Sequence, residues 1–364
     1  MNVVLENQEA ALELMQRVLR DGEPLAAEYP LVFRQEFPGR VIALGEGEEV
    51  RSACSVLTRE FVVEGPAGSI RVRGGLIGSV STDPAWRHKG LGTRLLVEAE
   101  AALQREGCAF ALLWADTPEF YLERGYGPIG TEEDFLISSE LVRNLPGTEG
   151  VRPMTPDDAA PIHALYERHT ARVERTAQET AALLGCPDML TLVREEQGEL
   201  VGYACRGRGR DLGDFIHEWG GDSEGVLALI RAHLEERFTE EEGHLFLMAP
   251  SSASDLCYRL IHAGAVCQRG MLGLGKILDR EAAARLLNEC LGKIGTAAVV
   301  EHEGSSRFEI RGPQAGGHVD DDGALALLLG VADVRDQVAS FLAEFGLQDV
   351  RLPVEPFAWG LDSI

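Results

Sequence analysis

The stretch Leu76-Ile-Gly-Ser-Val-Ser-Thr-Asp-Pro-Ala-Trp-Arg-His-Lys-Gly-Leu-Gly92 constrains this chain more than any other. Its apolar first half reads as a strand that ends at Thr82-Asp83-Pro84, a turn signal. A loop bearing Gly90 and Gly92 follows. Leu91, Leu95, Leu96, Ala99, Ala102 and Leu103 then recur on one helical face over residues 91–106, and Gly107 ends the helix. A strand that passes through a glycine loop into a helix points the helix's unpaired first amides out of its N-terminus. Those N–H groups and the helix dipole suit a pyrophosphate. Gly90 and Gly92 let the backbone approach closely, and Arg87 and Lys89 add charge. The order is R-x-x-G-x-G, not the G-x-G-x-x-G of a dinucleotide fold, and no acidic ribose reader follows in a βαβ unit.

Charge sharpens this reading. The 364 residues carry 34 Lys and Arg against 59 Asp and Glu, a formal net charge of −25. Residues 71–94 reverse the balance, with Arg71, Arg73, Arg87, Lys89 and Arg94 against Asp83 alone. This is either an anion site in a body that attracts cations or a chance cluster on one surface. A chain this acidic is a poor partner for nucleic acid and for anionic membranes. No apolar run reaches the ~18 residues that span a bilayer. The N-terminus, with Glu6, Glu9 and Glu13 in a helical pattern, does not read as a signal peptide. Seven cysteines, odd in number, widely spaced and without a CxxC, exclude a disulfide framework and argue for a reducing cytoplasm.

The length suggests two or three domains. Residues 5–20 have helical spacing. Strand-like runs follow at Val41–Leu44, Ala53–Thr58, Phe61–Val63, Ile70–Arg73 and Leu76–Thr82, with turn signals such as Gly65-Pro66 between them. Phe110–Trp114 reads as a buried strand, and residues 118–124 as a short helix between Pro118 and Gly125. Asn144–Gly150 reads as a linker. Beyond it, Val151–Asp158 runs as a strand into a helix that ends near His169. Strands follow at Met189–Arg194, Leu200–Arg206, Phe215–Trp219 and Leu245–Met248, with helices at 223–237 and 252–263. The last piece has a helix at Asp279–Leu291, strands near Ala297–Glu301 and Phe308–Arg311, and helices near 322–329 and 333–345.

The strand, the R-x-x-G-x-G loop, the helix and the later Phe120-Tyr-Leu-Glu-Arg-Gly-Tyr126 element, in that order, resemble the GNAT superfamily of acyl-CoA N-acyltransferases. The resemblance implies acetyl-CoA as co-substrate. Val80 and Thr82 would bond the pantetheine arm through their backbone. Arg87, His88, Lys89, Gly90, Gly92 and Thr93 would hold the pyrophosphate. Tyr126 would protonate the leaving thiolate as general acid, the other reading being a packed core aromatic. The wider arrangement resembles the enhanced-intracellular-survival acetyltransferases, which multiply acetylate aminoglycosides. It implies an α+β chain of tandem GNAT folds with a small sterol-carrier-protein-like end. The expected domains are residues 1–145 (catalytic), 150–275 (degenerate) and 276–364, the last short for a sterol-carrier fold. In that subgroup the chain's terminal carboxylate acts as base, here that of Ile364, though a frayed end is the competing reading. The acidic surface then suits a cationic amine such as an aminoglycoside, a polyamine or a lysine side chain. A homo-oligomer is compatible with the resemblance. A non-catalytic acyl-CoA sensor or scaffold is the alternative, and a longer acyl-CoA a second one.

Other signals carry less. Gly220–Gly225 occupies the loop slot of the second unit with Asp222 and Glu224 and no cation, which repels a pyrophosphate. Gly270–Lys276 matches a P-loop pattern, but Ile277 stands where a magnesium hydroxyl is needed, and the run reads as strand. Gly207–Gly213 reads as a turn, and His318–Gly323 as a loop and helix cap more than a metal site. His217 reads as a core residue. No cysteine has a His partner for covalent catalysis, and no metal is expected.

Overall fold

The computed structural model describes residues 3–5, 7–64, 68–239, 242–251, 254–302, 305–331, 334–350 and 352–364. The turn expected at Gly65-Pro66 and the expected helix starts at 252 and 333 lie outside them. The first part runs β1 (Val3–Leu5), α1 (Gln8–Leu19), α2 (Pro30–Phe33), β2 (Arg40–Glu46), β3 (Glu49–Val63), β4 (Ile70–Thr82), α3 (Leu91–Arg105), β5 (Phe110–Leu113), α4 (Glu119–Leu122), β6 (Gly127–Ile129) and β7 (Glu132–Ser138). The second runs β8 (Val151–Pro153), α5 (Ala159–Tyr166), β9 (Ala171–Val173), α6 (Ala177–Leu183), β10 (Leu190–Glu196), β11 (Glu199–Arg206), β12 (Phe215–Gly221), α7 (Ser223–Arg237), β13 (His244–Pro250), α8 (Ser254–Ala263), β14 (Val266–Gly270) and β15 (Gly273–Ile277). The last holds α9 (Arg280–Leu291), β16 (Thr296–His302), β17 (Ser305–Arg311), β18 (Gly316–Val319), α10 (Asp321–Leu329) and α11 (Arg335–Glu344).

The helical spacing read between 91 and 106 is realised in α3, which buries Leu91, Leu95, Leu96, Ala99, Ala102 and Leu103 against the first sheet. Its counterpart α7 buries almost its whole circumference, Val226 to Ile230 together with His233 and Leu234. It is therefore a core helix, not a surface one. Asp320 caps α10 by accepting from the Gly323 amide at 2.9 Å, as the cap reading of 318–323 expects.

The sheets exchange strands across the expected linker. The first sheet runs β1-β2-β3-β4-β5-β15-β6, with β9 on β3; the second runs β14-β7-β13-β12-β11-β10-β8. Strand β7 precedes residues 144–150, yet it pairs with β13 and β14. Strand β15 follows nearly all of the second part, yet it pairs with β5 and β6 in the first sheet. Strand β7 thus lies before residue 145 but pairs into the second sheet, and residue 275 falls within β15, which pairs into the first. Alternation in β7 drives its placement, with Phe135 and Ile137 fully buried. The third sheet is β16-β17-β18, all antiparallel.

Candidate active site

Two features of β4 open the site. The first is a bulge: the β3–β4 register shifts between Ala53 and Ser55, and Ser79 takes a φ of +49°. Such a left-handed φ on serine is sterically costly and re-aims the strand. The second is a divergence. The parallel β4–β5 ladder covers only Gly74–Leu76 against Phe110–Leu112. Beyond it, Val80 and Thr82 have no partner on the β5 side and line a cleft of about 570 Å³.

The floor of that cleft is the start of α3. Gly90, at φ +78°, is the N-cap and no side chain caps the helix. The first helical bond is Arg94 N–H to Gly90 C=O at 3.1 Å, so the amides of Leu91, Gly92 and Thr93 have no carbonyl partner within the helix. Arg87, His88, Gly90, Gly92 and Thr93 all line the cleft. Lys89 lies over the Trp86 ring at 4.2 Å and donates to Ala85 C=O at 3.0 Å. Asp83 is turned away: it accepts from the Ala85 amide and pairs with Arg17 at 2.9 Å. Uncapped amides, nearby cations and a carboxylate turned aside fit a pyrophosphate. Arg124, missed in the sequence, adds a further cation; it lines the cleft, donates to Thr93 Oγ1 at 2.9 Å and stacks on Phe120 at 3.9 Å.

The second unit makes the same turn differently. Asp222 caps α7, and its Oδ1 accepts from the Gly225 amide at 2.6 Å. At this helix end the protein's own carboxylate occupies the first-turn amide that α3 leaves uncapped.

The two tyrosines of Phe120–Tyr126 have different surroundings. Tyr121 lines the cleft, and burial pushes its hydroxyl up to about 12. Tyr126 is not among the cleft's walls. It is buried, its ring stands 5.5 Å from Lys276 Nζ, and its hydroxyl lies beside Glu100 without a well-formed hydrogen bond. Burial first, then Glu100, raises it well above its ordinary value. Lys276 itself pairs with Glu100 at 2.9 Å.

Ile364 does not fray. A Cβ built on Gly78 of β4 would fall 1.9 Å from its terminal oxygen. The chain's end therefore lies against the strand at the edge of its divergence, and only glycine leaves room there. The preceding residues Phe357 to Leu361 are buried, and Trp359 Nε1 donates to Ala171 C=O at 3.1 Å. Asp362 pairs with the fully buried Arg175 at 2.6 Å, and Arg175 also grips Glu218 at 2.8 Å. His217 is a core residue, bonded to Gly207 C=O at 2.9 Å and held down at about 3 by burial. All seven cysteines are free, six of them buried. Among the described residues no group is placed to hold a metal, and no helix is long and apolar enough to cross a membrane.

The splayed parallel strand pair and the uncapped helix end fall within residues 5–129, which match the family described as acetyltransferase (GNAT) domain. That match spans 125 of the 364 residues. Over its whole length the chain shares its fold with a GCN5-related N-acetyltransferase from Anabaena variabilis ATCC 29413 (TM-score 0.69, 12% identity, 100% of both chains). It is similarly like a GCN5-related N-acetyltransferase from Kribbella flavida (0.65, 18%, 100% of both). Eis1 from Mycobacterium abscessus follows at 0.59 and 16%, over 98% of this chain and 99% of that one. No curated protein matches the chain in sequence. The architecture is a mixed α/β chain of tandem GNAT folds.

Proposed function

We propose that the protein transfers acetyl from acetyl-CoA directly to a primary amine of a cationic acceptor. The observation that carries this reading is an uncapped helix end with its cations and a tyrosine in one cleft where β4 leaves β5; the Ile364 carboxylate lies beside the same strand, at Gly78. The amine nitrogen attacks the thioester carbonyl, a C–N bond forms and the C–S bond breaks. The Ile364 carboxylate takes the ammonium proton, directly or through water, and the thiolate leaves with a proton from tyrosine. Backbone groups at Val80–Thr82 polarise the carbonyl. We assign the proton donor to Tyr121 in place of Tyr126, because Tyr121 lines the cleft; burial raises both hydroxyls above their ordinary value. The pyrophosphate goes to Arg87, His88, Lys89, Gly90, Gly92 and Thr93.

Residues 1–145 are the proposed catalytic unit, apart from the strand exchange; 150–275 form a degenerate unit and 276–364 a sterol-carrier-like end. Seven free cysteines support a reducing cytoplasm. The net charge of −25 supports a cationic acceptor, an aminoglycoside, a polyamine or a lysine-like amine.

The test is CoA release from acetyl-CoA across a broad panel of amines. Acetylated product in step with CoA supports transfer; tight acetyl-CoA binding without any acetylated amine supports a sensor instead. Tyr121→Phe should lower kcat about 10²-fold with CoA affinity kept, while Tyr126→Phe should stay within about threefold of wild type. The reverse pattern would return the role to Tyr126. Gly78→Ala should displace the Ile364 carboxylate and lower kcat about 10- to 100-fold, again without weakening CoA. Unchanged kcat would mean that the carboxylate does not act from that position.

A further inference from the structure

The turn Gly207–Gly213 has no part in the cofactor cleft, yet it carries one of the most buried cations of the chain. Arg208 is 2% exposed. Its guanidinium donates to Glu28 C=O from Nε at 3.0 Å and from Nη2 at 2.8 Å. Nη1 donates to Gly360 C=O at 2.7 Å and to Ser363 Oγ at 2.9 Å, and Nη2 to Ser363 C=O at 3.1 Å. The Tyr29 ring lies 4.5 Å away. One side chain thus ties the catalytic unit, the second unit and the last residues of the chain together.

None of these hydrogen bonds goes to a side-chain carboxylate. A buried charge held only by neutral acceptors is costly without a counter-charge. Ser363, whose carbonyl Arg208 binds, is followed directly by the Ile364 carboxylate, which lies at Gly78.

The second sheet prepares the approach. Its parallel β12–β13 ladder stops after Phe215–Ile216 against Phe246–Leu247. Where the two strands then diverge, Trp219 donates to Met248 C=O at 3.0 Å and packs on Trp359 with ring centroids 5.1 Å apart. Gly360 lies on His217, the next inward residue of β12.

We infer that the second unit serves as a socket for the chain's own C-terminal segment, with Arg208 the positioning residue that delivers the Ile364 carboxylate to β4. The inference rests on the carboxylate's proposed role as base. Arg208 touches no reacting atom; it acts through Ser363. The titratable groups around it are Tyr29, Cys186 and His217, with the Arg175–Glu218–Asp362 cluster on the same segment.

The test uses the full chain carrying Arg208→Lys or Arg208→Gln, with Ser363→Ala as the variant that keeps the guanidinium in place. At neutral pH kcat with acetyl-CoA and an accepted amine should fall about 10- to 100-fold in the Arg208 variants. In Ser363→Ala it should fall about threefold. CoA affinity should stay within about twofold, because the pyrophosphate loop is untouched. The deficit should shrink above the amine's own pKa, where no proton needs removing. An equal deficit at every pH, or a parallel loss of CoA affinity, assigns Arg208 a merely structural role and overturns the proposal.

Carboxypeptidase digestion reads the socket without catalysis. Wild type should keep Ile364 and Arg208→Gln should lose it; equal resistance overturns the inference. If removing Ile364 leaves kcat intact, the base assignment fails. If removal lowers kcat and the Arg208 variants do not, only the positioning role fails.

Discussion

Deleting Ile364 alone should cut kcat for amine acetylation by about 10²- to 10⁴-fold, the range for loss of a positioned base. The deletion does not remove a carboxylate; it moves it. The new terminus at Ser363 stops about 3.8 Å short of its former place and falls directly on Arg208, which already binds Ser363 O. The carboxylate then pairs with a guanidinium instead of facing β4. CoA affinity should hold, because residues 87–93 are remote from the change in sequence and bonding. The rate should partly recover at pH above the amine's pKa. Steady-state kinetics against pH, with calorimetry for CoA, read both effects. Full activity in the shortened chain would remove the terminal carboxylate from the mechanism.

Arg175→Met should cost about 3–5 kcal/mol of stability, the usual penalty for breaking a buried ion cluster by removing one partner. Arg175, Glu218 and Asp362 have side chains with no exposure at all. Without the guanidinium, two carboxylates remain buried with no cation. Glu218 already sits above its ordinary value through burial, even with Arg175 beside it. In the variant the buried Glu218 carboxylate loses the cation that opposes its burial, so its folded pKa rises further above the unfolded one. A raised folded pKa gives stability at low pH that is lost as pH rises. The variant's deficit should therefore be largest at neutral pH and shrink in mild acid. Urea midpoints across pH measure this, and a deficit that grows in acid would contradict it.

The loop proposed for the cofactor is legible in the sequence because its geometry is local. Strand, turn, R-x-x-G-x-G and helix lie in one run, and the amides they aim need only the backbone. The terminal segment is half legible: Phe357, Trp359 and Leu361 mark it as more than a loose tail, but its partners Arg175, Arg208 and Glu218 lie some 150 residues or more before it in most cases. Long-range pairing also hides the strand exchange. Glu132-Glu-Asp134 at the head of β7 looks like solvated chain, and only the alternation of Phe135 and Ile137 marks a strand. Strand β3 reads as two pieces because Arg59 and Glu60 interrupt its apolar run. In the fold Arg59 is buried and pairs with Glu179 of α6 at 2.5 Å, so the interruption is an interface between the units. The choice between Tyr121 and Tyr126 is closed to sequence, since both fit the motif at neighbouring turns. Only their placement separates them, one in the cleft and one beside Glu100 and Lys276.

The most direct test of the whole account is a crystal structure with acetyl-CoA. It predicts the pyrophosphate on the amides of residues 87–93 and the thioester in the β4–β5 divergence. Tyr121 should then lie within hydrogen-bond reach of the sulfur, with the Ile364 carboxylate facing the acyl carbon across the acceptor space. A pyrophosphate bound elsewhere, a sulfur facing Tyr126, or a terminus withdrawn from Gly78 would contradict it.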